Sequence, residues 1–310
     1  MCVKVSFCIP AYKGKYIKET IDSLLAQTLS DIEIIVVDDR SPDNIAEILS
    51  TYKDQRIRYY LNEENLGGKN PMYNYNKAFS YATGDYSVIA GDDDVYHPQY
   101  AEKMLALAEA HKDVDIFHCR IGIIDGNGHL TKIGDLWPEY ESCADYLYSR
   151  GVRRCTQTMP EFFVRTSALK AIGGMVEMPL AWYSDDATWF LLAKEKGIIT
   201  TPEVLFYWRY SGINISSRFD VTEKKVNAAE NYKEWLRDFI PSINPISKED
   251  ALTLKYVETH IYESVDQQTL FDLDDTKFGL WFKIIFSVSC SKRLKLRSIR
   301  NRIRTLLLLE

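Results

Sequence analysis

Paired metal-binding cysteines are missing from this chain. Its six cysteines (Cys2, Cys8, Cys119, Cys143, Cys155 and Cys290) contain no C-x-x-C pair. Neither a zinc site nor a disulfide framework is suggested, and a reducing, cytoplasmic setting is expected. The histidines form no H-E-x-x-H pair. "NLGGKNP" (Asn65–Pro71) has two glycines and a lysine but not the G-x-x-x-x-G-K-[ST] spacing of a P-loop, and no G-x-G-x-x-G follows the first apolar run. A P-loop NTPase, a kinase and a nicotinamide dehydrogenase are therefore disfavoured. No stretch reaches the roughly 18–20 apolar residues of a membrane span. The opening "MCVKVSFCIP" meets proline before any long apolar core, so no signal peptide is expected. With a formal charge of −6 the chain has no bulk attraction to nucleic acid.

What is present is a strong alternation. A chain of 310 residues, 46% of them hydrophobic, suits one large domain or one domain with a smaller appendage. "VKVSFCIP", "IEIIVVDD", "IRYYL" and "YSVIA" read as strands; "YIKETIDSLLAQT", "NIAEILSTY" and "MYNYNKAFSYATG" between them have a helical period. Continuous β-branched runs separated by helices predict an open, doubly wound α/β domain, a Rossmann-like, mostly parallel sheet flanked by helices. The middle third is less regular: "VDIFHCRIGIID" and "VLFYWRY" read as strands, "TSALKAIGG" and "SDDATWFLLAKEKG" as helices. From about Ser216 the pattern is helical and polar.

Ligands of such sheets bind beyond the carboxyl ends of the strands. Pro10, Asp38-Asp39 and Asp92-Asp93-Asp94 all fall there. Three adjacent aspartates are compatible with a helix cap or a solvated turn, since Pro98 stands where the next helix begins. They equally suit a hard cation, Mn²⁺ or Mg²⁺, holding phosphate oxygens. A carboxylate at Asp39 suits hydrogen bonding to a nucleoside.

The stretch from Val5 to Asn44 resembles the opening of the family 2 glycosyltransferases, which have the GT-A fold. The residues that carry the resemblance are Pro10-Ala11-Tyr12, the run Ser23-Leu24-Leu25-Ala26-Gln27-Thr28 and Val37-Asp38-Asp39-Arg40-Ser41. Asn65-Leu66-Gly67, Tyr75-Asn76-Lys77, Gly84-Asp85-Tyr86 and Gly91-Asp92-Asp93-Asp94 with Pro98 extend it. Gly91 departs from the pattern, standing where the family commonly has the first acid of its metal motif. The resemblance implies a metal-dependent, inverting, hexosyltransferase-type enzyme. Its donor would be a nucleoside diphosphate sugar, UDP-linked, and its hydroxyl acceptor lipid-linked or a glycan. The implied setting is bacterial capsule, exopolysaccharide or O-antigen assembly. The alternative is a catalytically silent nucleotide-sugar-binding or scaffold protein of the same fold.

By resemblance, Asp39 would bind the base, Asp92 the ribose or sugar, and Asp93 the metal, with Pro10, Tyr12 and Lys69 also on the donor side. In "YSDDATWFLLAKEKG", Asp186 would be the general base and Asp185 an acceptor-binding or supporting acid, although acids favour the first turn of any helix. In "RYSGINIS", Arg209 is read either as a diphosphate contact or as a structural ion-pair residue, with Asn214 and Ser216 completing the run and Ser211 where a histidine often stands.

Residues 1–216 are expected to form the GT-A domain, its nucleotide part about 1–98 and its acceptor part about 99–216, with a helical extension over 217–310. The end of that extension carries Lys292, Arg293, Lys295, Arg297, Arg300, Arg302 and Arg304 among leucines and isoleucines. A basic amphipathic helix of this kind suits an anionic membrane surface on the cytoplasmic side, or packing on the domain or a second subunit. Oligomerisation is left open.

Overall fold

A computed structural model describes residues 3–210, 212, 218–286 and 291–307. Ser211, Asn214 and Ser216, and with them the expected domain boundary, lie outside the described residues, as do Cys2 and Cys290. The first half alternates as predicted: β1 (Val5–Ala11), α1 (Ile17–Leu25), β2 (Ile32–Asp38), α2 (Ile45–Ser50), β3 (Ile57–Leu61), α3 (Pro71–Ser80) and β4 (Tyr86–Ile89). Then come β5 (Val95–Tyr96), α4 (Tyr100–Ala110), β6 (Ile116–Ile124), β7 (Leu130–Ile133), β8 (Tyr140–Glu141), α5 (Cys143–Leu147), β9 (Phe162–Arg165), α6 (Thr166–Ala171), α7 (Ser184–Ala193) and β10 (Ile198–Arg209). The chain continues as helices: α8 (Thr222–Phe239), α9 (Lys248–Asp274), α10 (Phe278–Ile285) and α11 (Lys292–Leu307).

The strands form one sheet in the order β3-β2-β1-β4-β9-β6-β10-β5, with β7 beside β6 and β8 beside β10. From β3 to β4 every pairing is parallel, and β6 runs parallel to β10. The short β9 is antiparallel to both β4 and β6 and joins the two parallel blocks. Period-2 alternation distributes the side chains: Val5, Phe7 and Ile9 enter the core under α1, α2 and α4, whereas Cys8, Ile35 and Val37 enter the core shared with α3, α5 and α7. Both faces are therefore covered, as continuous apolar strands require.

Parallel pairing also sets the site. In register, Ala11 stands beside Asp38, so β1 and β2 end together, and the amide of Asp39 donates to Ala11 O at 2.9 Å. The amide of Ala90 likewise donates to Cys8 O at 2.9 Å, which brings the end of β4 to the same edge. At the opposite edge Gly84 lies so close to β1 that a Cβ there would come within 3.0 Å of the Ser6 nitrogen, so this approach needs glycine.

The C-terminal helices continue the main core. Ala229, Tyr232, Leu236 and Phe239 of α8 and Val257 and Ile261 of α9 share one apolar cluster with Tyr146, Leu147 and Phe190. Leu236 and Ile261 are fully buried there. Replacing Leu236 by Ala should lower the unfolding free energy by about 2–5 kcal/mol. Because the cluster is shared, the near-UV signal of the sheet core should lose its midpoint together with the helical signal during urea unfolding; an unchanged near-UV transition would show that the helices fold apart from the sheet.

Candidate active site

The edge where β1, β2 and β4 end collects buried carboxylates. Past β1 the chain turns, and the amides of Tyr12 and Lys13 both donate to Asp92 Oδ2, at 2.9 and 2.7 Å. The Lys13 side chain folds back so that Nζ lies 2.8 Å from Asp93 Oδ2 and 3.3 Å from Asp92 Oδ1. Asp94 is engaged from below, its Oδ1 accepting the Arg209 amide at 2.9 Å. Burial, and after it the charge of Asp93, pushes the Asp94 carboxyl well above the usual range. Burial raises Asp92 as well; Lys13 opposes that rise and Asp93 adds to it. For Lys13 itself burial acts downward, yet the Asp92 and Asp93 carboxylates outweigh it and hold the ammonium above its ordinary value.

Gly91 follows from this crowding. A Cβ at that position would meet Asp94 Oδ2 at 2.5 Å and Asp93 Oδ1 at 3.4 Å. The carboxylate of Asp94 fills the space that an acid at 91 would need.

Asp39 is held by the loop after β3. Its carboxylate accepts from Asn62 Nδ2 at 2.8 Å and from the amides of Leu66 and Gly67 at 2.8 and 2.7 Å. Asn62 is fixed in turn by Asn74 of α3, at 2.8 Å. Asp38, one residue earlier, is taken up by Ser41 N and Tyr59 OH, both at 2.8 Å. Lys69 stands on the exposed part of the same loop, 2.8 Å from Glu64. Pro10 lies near the end of β1, and Tyr12 is 46% exposed beside the aspartates.

Arg209 forms an ion pair with the exposed Glu19. The arginine is fully buried; Nε donates to Asp93 O at 2.8 Å and Nη2 to Glu19 Oε2 at 2.6 Å. Its guanidinium carbon lies 4.3 Å from the Tyr16 ring centroid. It braces the aspartate loop from beneath.

The second acidic pair opens α7. Asp186 is buried, and Arg150 grips it with two nitrogens, Nε to Oδ1 at 2.6 Å and Nη2 to Oδ2 at 3.2 Å, while Gln157 Nε2 adds 2.8 Å to Oδ1. Asp185 is half-buried and makes no hydrogen bond or ion pair with another side chain among the described residues, although the Asp186 amide favours its ionised form. Burial and the neighbouring charge of Asp186 push its carboxyl up to about 7, against the pull of Arg150. A carboxylate titrating near neutrality suits proton transfer; one clamped by an arginine does not. Asp186 is thus the clamped member of the pair and Asp185 the member that titrates near neutrality.

Two connections bring α7 to the strand-end edge. Asn70, which caps α3, and Asn76 within it hold the segment before α7, through Asn70 Nδ2 to Met178 O at 3.3 Å and Asn76 Nδ2 to Met175 O at 3.0 Å. The segment before β9 is the other, since Gln157 reaches Asp186 while Pro160 O accepts from Tyr96 OH at 3.0 Å, two residues past the aspartates. Leu180, Ala181 and Tyr183 all have positive φ (61°, 60° and 69°), strained backbone held directly in front of Asp185. Tyr183 is fixed by stacking on Tyr232 of α8, centroids 4.4 Å apart.

Sequence reasoning missed Lys13, Glu19, Arg150 and Gln157. Lys13 adjoins the corner at Pro10, and its position there was a usable signal; Arg150 lies in "YSRGVRR" and carries none.

Among the described residues no group of three His, Cys, Asp or Glu side chains is arranged to hold a metal ion. The donor chemistry still fits a hard cation, because Asp93 Oδ2 is an anionic oxygen held by the partly exposed ammonium of Lys13. Mg²⁺-type ions commonly bind through one or two carboxylates, with substrate phosphates and water completing the shell.

Residues 6–173 match the family described as glycosyl transferase family 2. The chain is 26% identical over 274 residues to an uncharacterized glycosyltransferase of Nostoc sp., covering 84% of this chain and 83% of that one. It is 32% identical over 157 residues to the amylovoran biosynthesis glycosyltransferase AmsB of Erwinia amylovora, covering 47% and 51% of the two chains. The crystal structure of S. aureus TarS in complex with UDP-GlcNAc overlays with a TM-score of 0.65 at 18% identity, over 94% of this chain and 83% of the other. At that identity the likeness is one of fold, and the architecture is GT-A.

The raised Asp185 carboxyl has a consequence for stability. Its folded value of about 7 exceeds the ordinary 3.8, so the folded state binds the proton more tightly, and stability falls as pH rises from about 4 to about 7. Asp185→Asn removes that penalty. The variant should melt at higher temperature than the parent above pH 7, and the gap should close as pH approaches 4; a gap that does not change with pH would contradict the raised value.

Proposed function

The chain belongs to glycosyl transferase family 2, and from that premise we propose that it is an inverting enzyme moving a hexose from a UDP-linked donor to a hydroxyl acceptor. The observation that carries this reading is the half-buried Asp185, which has no side-chain partner among the described residues and titrates near 7 beside the carboxylate-rich ends of the parallel strands. In this reading Asp185 takes the proton of the acceptor hydroxyl. The acceptor oxygen forms the new bond to the sugar C1 on the face opposite the diphosphate, the C1–O bond to the diphosphate breaks with its electron pair leaving on that oxygen, and the configuration inverts.

The remaining residues position the donor. Asp39, buried and oriented by Asn62, receives the base, and Asp92 the ribose or the sugar. Pro10 and Tyr12 wall the nucleotide, with Lys69 at the open side of the loop. Asp93 would hold Mn²⁺ or Mg²⁺ together with diphosphate oxygens, and the ion, when bound, offsets charge on the departing diphosphate. Asp186 and Arg209 act through others: Asp186 fixes the start of α7 through Arg150, and Arg209 fixes the aspartate loop. Residues from the first strand to β10 form the catalytic unit, its nucleotide part up to about residue 98 and its acceptor part to about 216, with the later helices buttressing the acceptor side through Tyr232. An intact Asp185 titrating near neutrality favours an active enzyme over a silent binding protein. The name of the Erwinia relative supports a place in bacterial surface-polysaccharide assembly, on the cytoplasmic face of the membrane where lipid-linked acceptors are presented.

Removing a positioned base costs on the order of 10² to 10⁴ in rate. Asp185→Asn should lose that much turnover while binding UDP-sugar as the parent does, whereas Asp186→Asn should lose less. In the parent, kcat/KM should rise with pH through about 7, the value at which Asp185 loses its proton. Asp93→Ala should remove the Mn²⁺ dependence of UDP binding measured by calorimetry. Normal turnover in Asp185→Asn, screened against a panel of nucleotide sugars and acceptors that the parent uses, would refute the assignment.

A further inference from the structure

Helix α10 buries one face and exposes the other. Trp281, Ile284 and Ile285 pack with Val226 of α8, Leu270 and Leu273 of α9 and Leu294 of α11. On the outward face Phe278, Phe282 and Phe286 follow at every fourth residue and remain 63%, 51% and 66% exposed. They form a ladder, with centroids 6.3 Å apart between the first two and 4.5 Å between the last two. Three adjacent exposed phenylalanines on one helix face are a large apolar patch for a water-facing surface.

Helix α11 lies against α10: Trp281 Nε1 donates to Ser298 Oγ at 2.8 Å, and Arg302 sits over the Trp281 ring, 5.2 Å from its centroid. Six of its seven basic residues divide into two sets. Arg293 and Arg297 pair with Glu263 of α9, and Arg302 donates to Leu273 O at 3.0 Å, so these three serve packing. Packing on the domain, one of the two readings open for the basic run, thus applies to these three residues. Lys292, Arg300 and Arg304 are exposed and make no ion pair among the described residues; they share the outward face with Leu296 and Ile303, which are 69% and 52% exposed. Among the described residues no helix is long and apolar enough to cross a membrane.

We propose that the outward faces of α10 and α11 form a docking surface for an anionic lipid bilayer, with the Phe278–Phe282–Phe286 ladder entering the interface and Lys292, Arg300 and Arg304 meeting the headgroups. Charge decides the occupant. A second copy of this chain would bring the same cations against themselves, whereas an anionic leaflet complements them and accepts the rings at the same time. The aromatic ladder supplies the larger part of the binding, so the surface differs from a purely electrostatic tail. The inference does not depend on how the catalytic site is read.

The test is flotation of the full chain with phosphatidylcholine vesicles, with and without a third of phosphatidylglycerol, at low and at high salt. The parent should float with the anionic vesicles at low salt. Phe282→Ser should weaken binding at least about tenfold, and each of Arg300→Gln and Arg304→Gln about fivefold, with a smaller salt dependence. Circular dichroism and UDP binding should stay at parental values, because all three residues are exposed. As a direct reporter, Phe282→Trp should shift its emission to the blue on addition of anionic vesicles. A parent that ignores anionic vesicles overturns the proposal, and so does vesicle binding unchanged by Phe282→Ser. A dimer in sedimentation that Phe282→Ser converts to monomer, without vesicle binding in either protein, assigns the face to self-association and overturns it equally.

Discussion

The repulsion among Asp92, Asp93 and Asp94 is the constraint on which the rest of the site depends. Three carboxylates buried in succession are tenable only if each has its own compensation. The fold supplies three kinds: backbone amides of the β1 corner on Asp92, the Lys13 ammonium across Asp92 and Asp93, and the Arg209 amide on Asp94. Each compensation originates from a different part of the chain, so the aspartates also pin the end of β10 and the corner after β1 to the end of β4. Gly91 belongs to the same constraint, since Asp94 occupies the place of its missing side chain.

A second acidic pair solves the same problem in the opposite way. At the start of α7 the repulsion is relieved on one member only. Asp186 receives Arg150 and Gln157, and Asp185, left beside a fixed negative charge in a partly buried position, becomes the carboxyl that titrates near neutrality. Two adjacent aspartates of identical chemistry thereby acquire different surroundings, one clamped by an arginine and one titrating near neutrality. The strained segment of positive φ before them and the stacking of Tyr183 on Tyr232 show why the later helices matter to the site: α8 closes the wall against which Asp185 is presented.

Stability and surface chemistry are also divided along the C-terminal helices. α8 and α9 share the main core with the sheet and are structural components of it as well as an extension. The outward faces of α10 and α11 carry the exposed phenylalanine ladder and the exposed cations. Three of the seven members of what looks like a uniform basic run are engaged by Glu263 and by the carbonyl end of α9.

Local pattern determined a great deal. Continuous apolar runs of β-branched residues between helical periods were sufficient for β1 to β4 and their helices, because strands buried on both faces carry a signal in their own composition. The positions of Asp39 and of the three aspartates at strand ends followed from that, since parallel strands must finish on one edge. Strand β9 was not legible: four residues joining two blocks in antiparallel fashion owe their state to neighbours distant in sequence. Nor could sequence separate Asp185 from Asp186, because the partner that distinguishes them, Arg150, arrives from a turn 36 positions away. The ion-pair role of Arg209 and the division of the basic tail were decided in the same manner. Where a residue's environment is built by its own strand or helix, the sequence determined it; where the environment is a charge delivered from elsewhere, only the tertiary structure could.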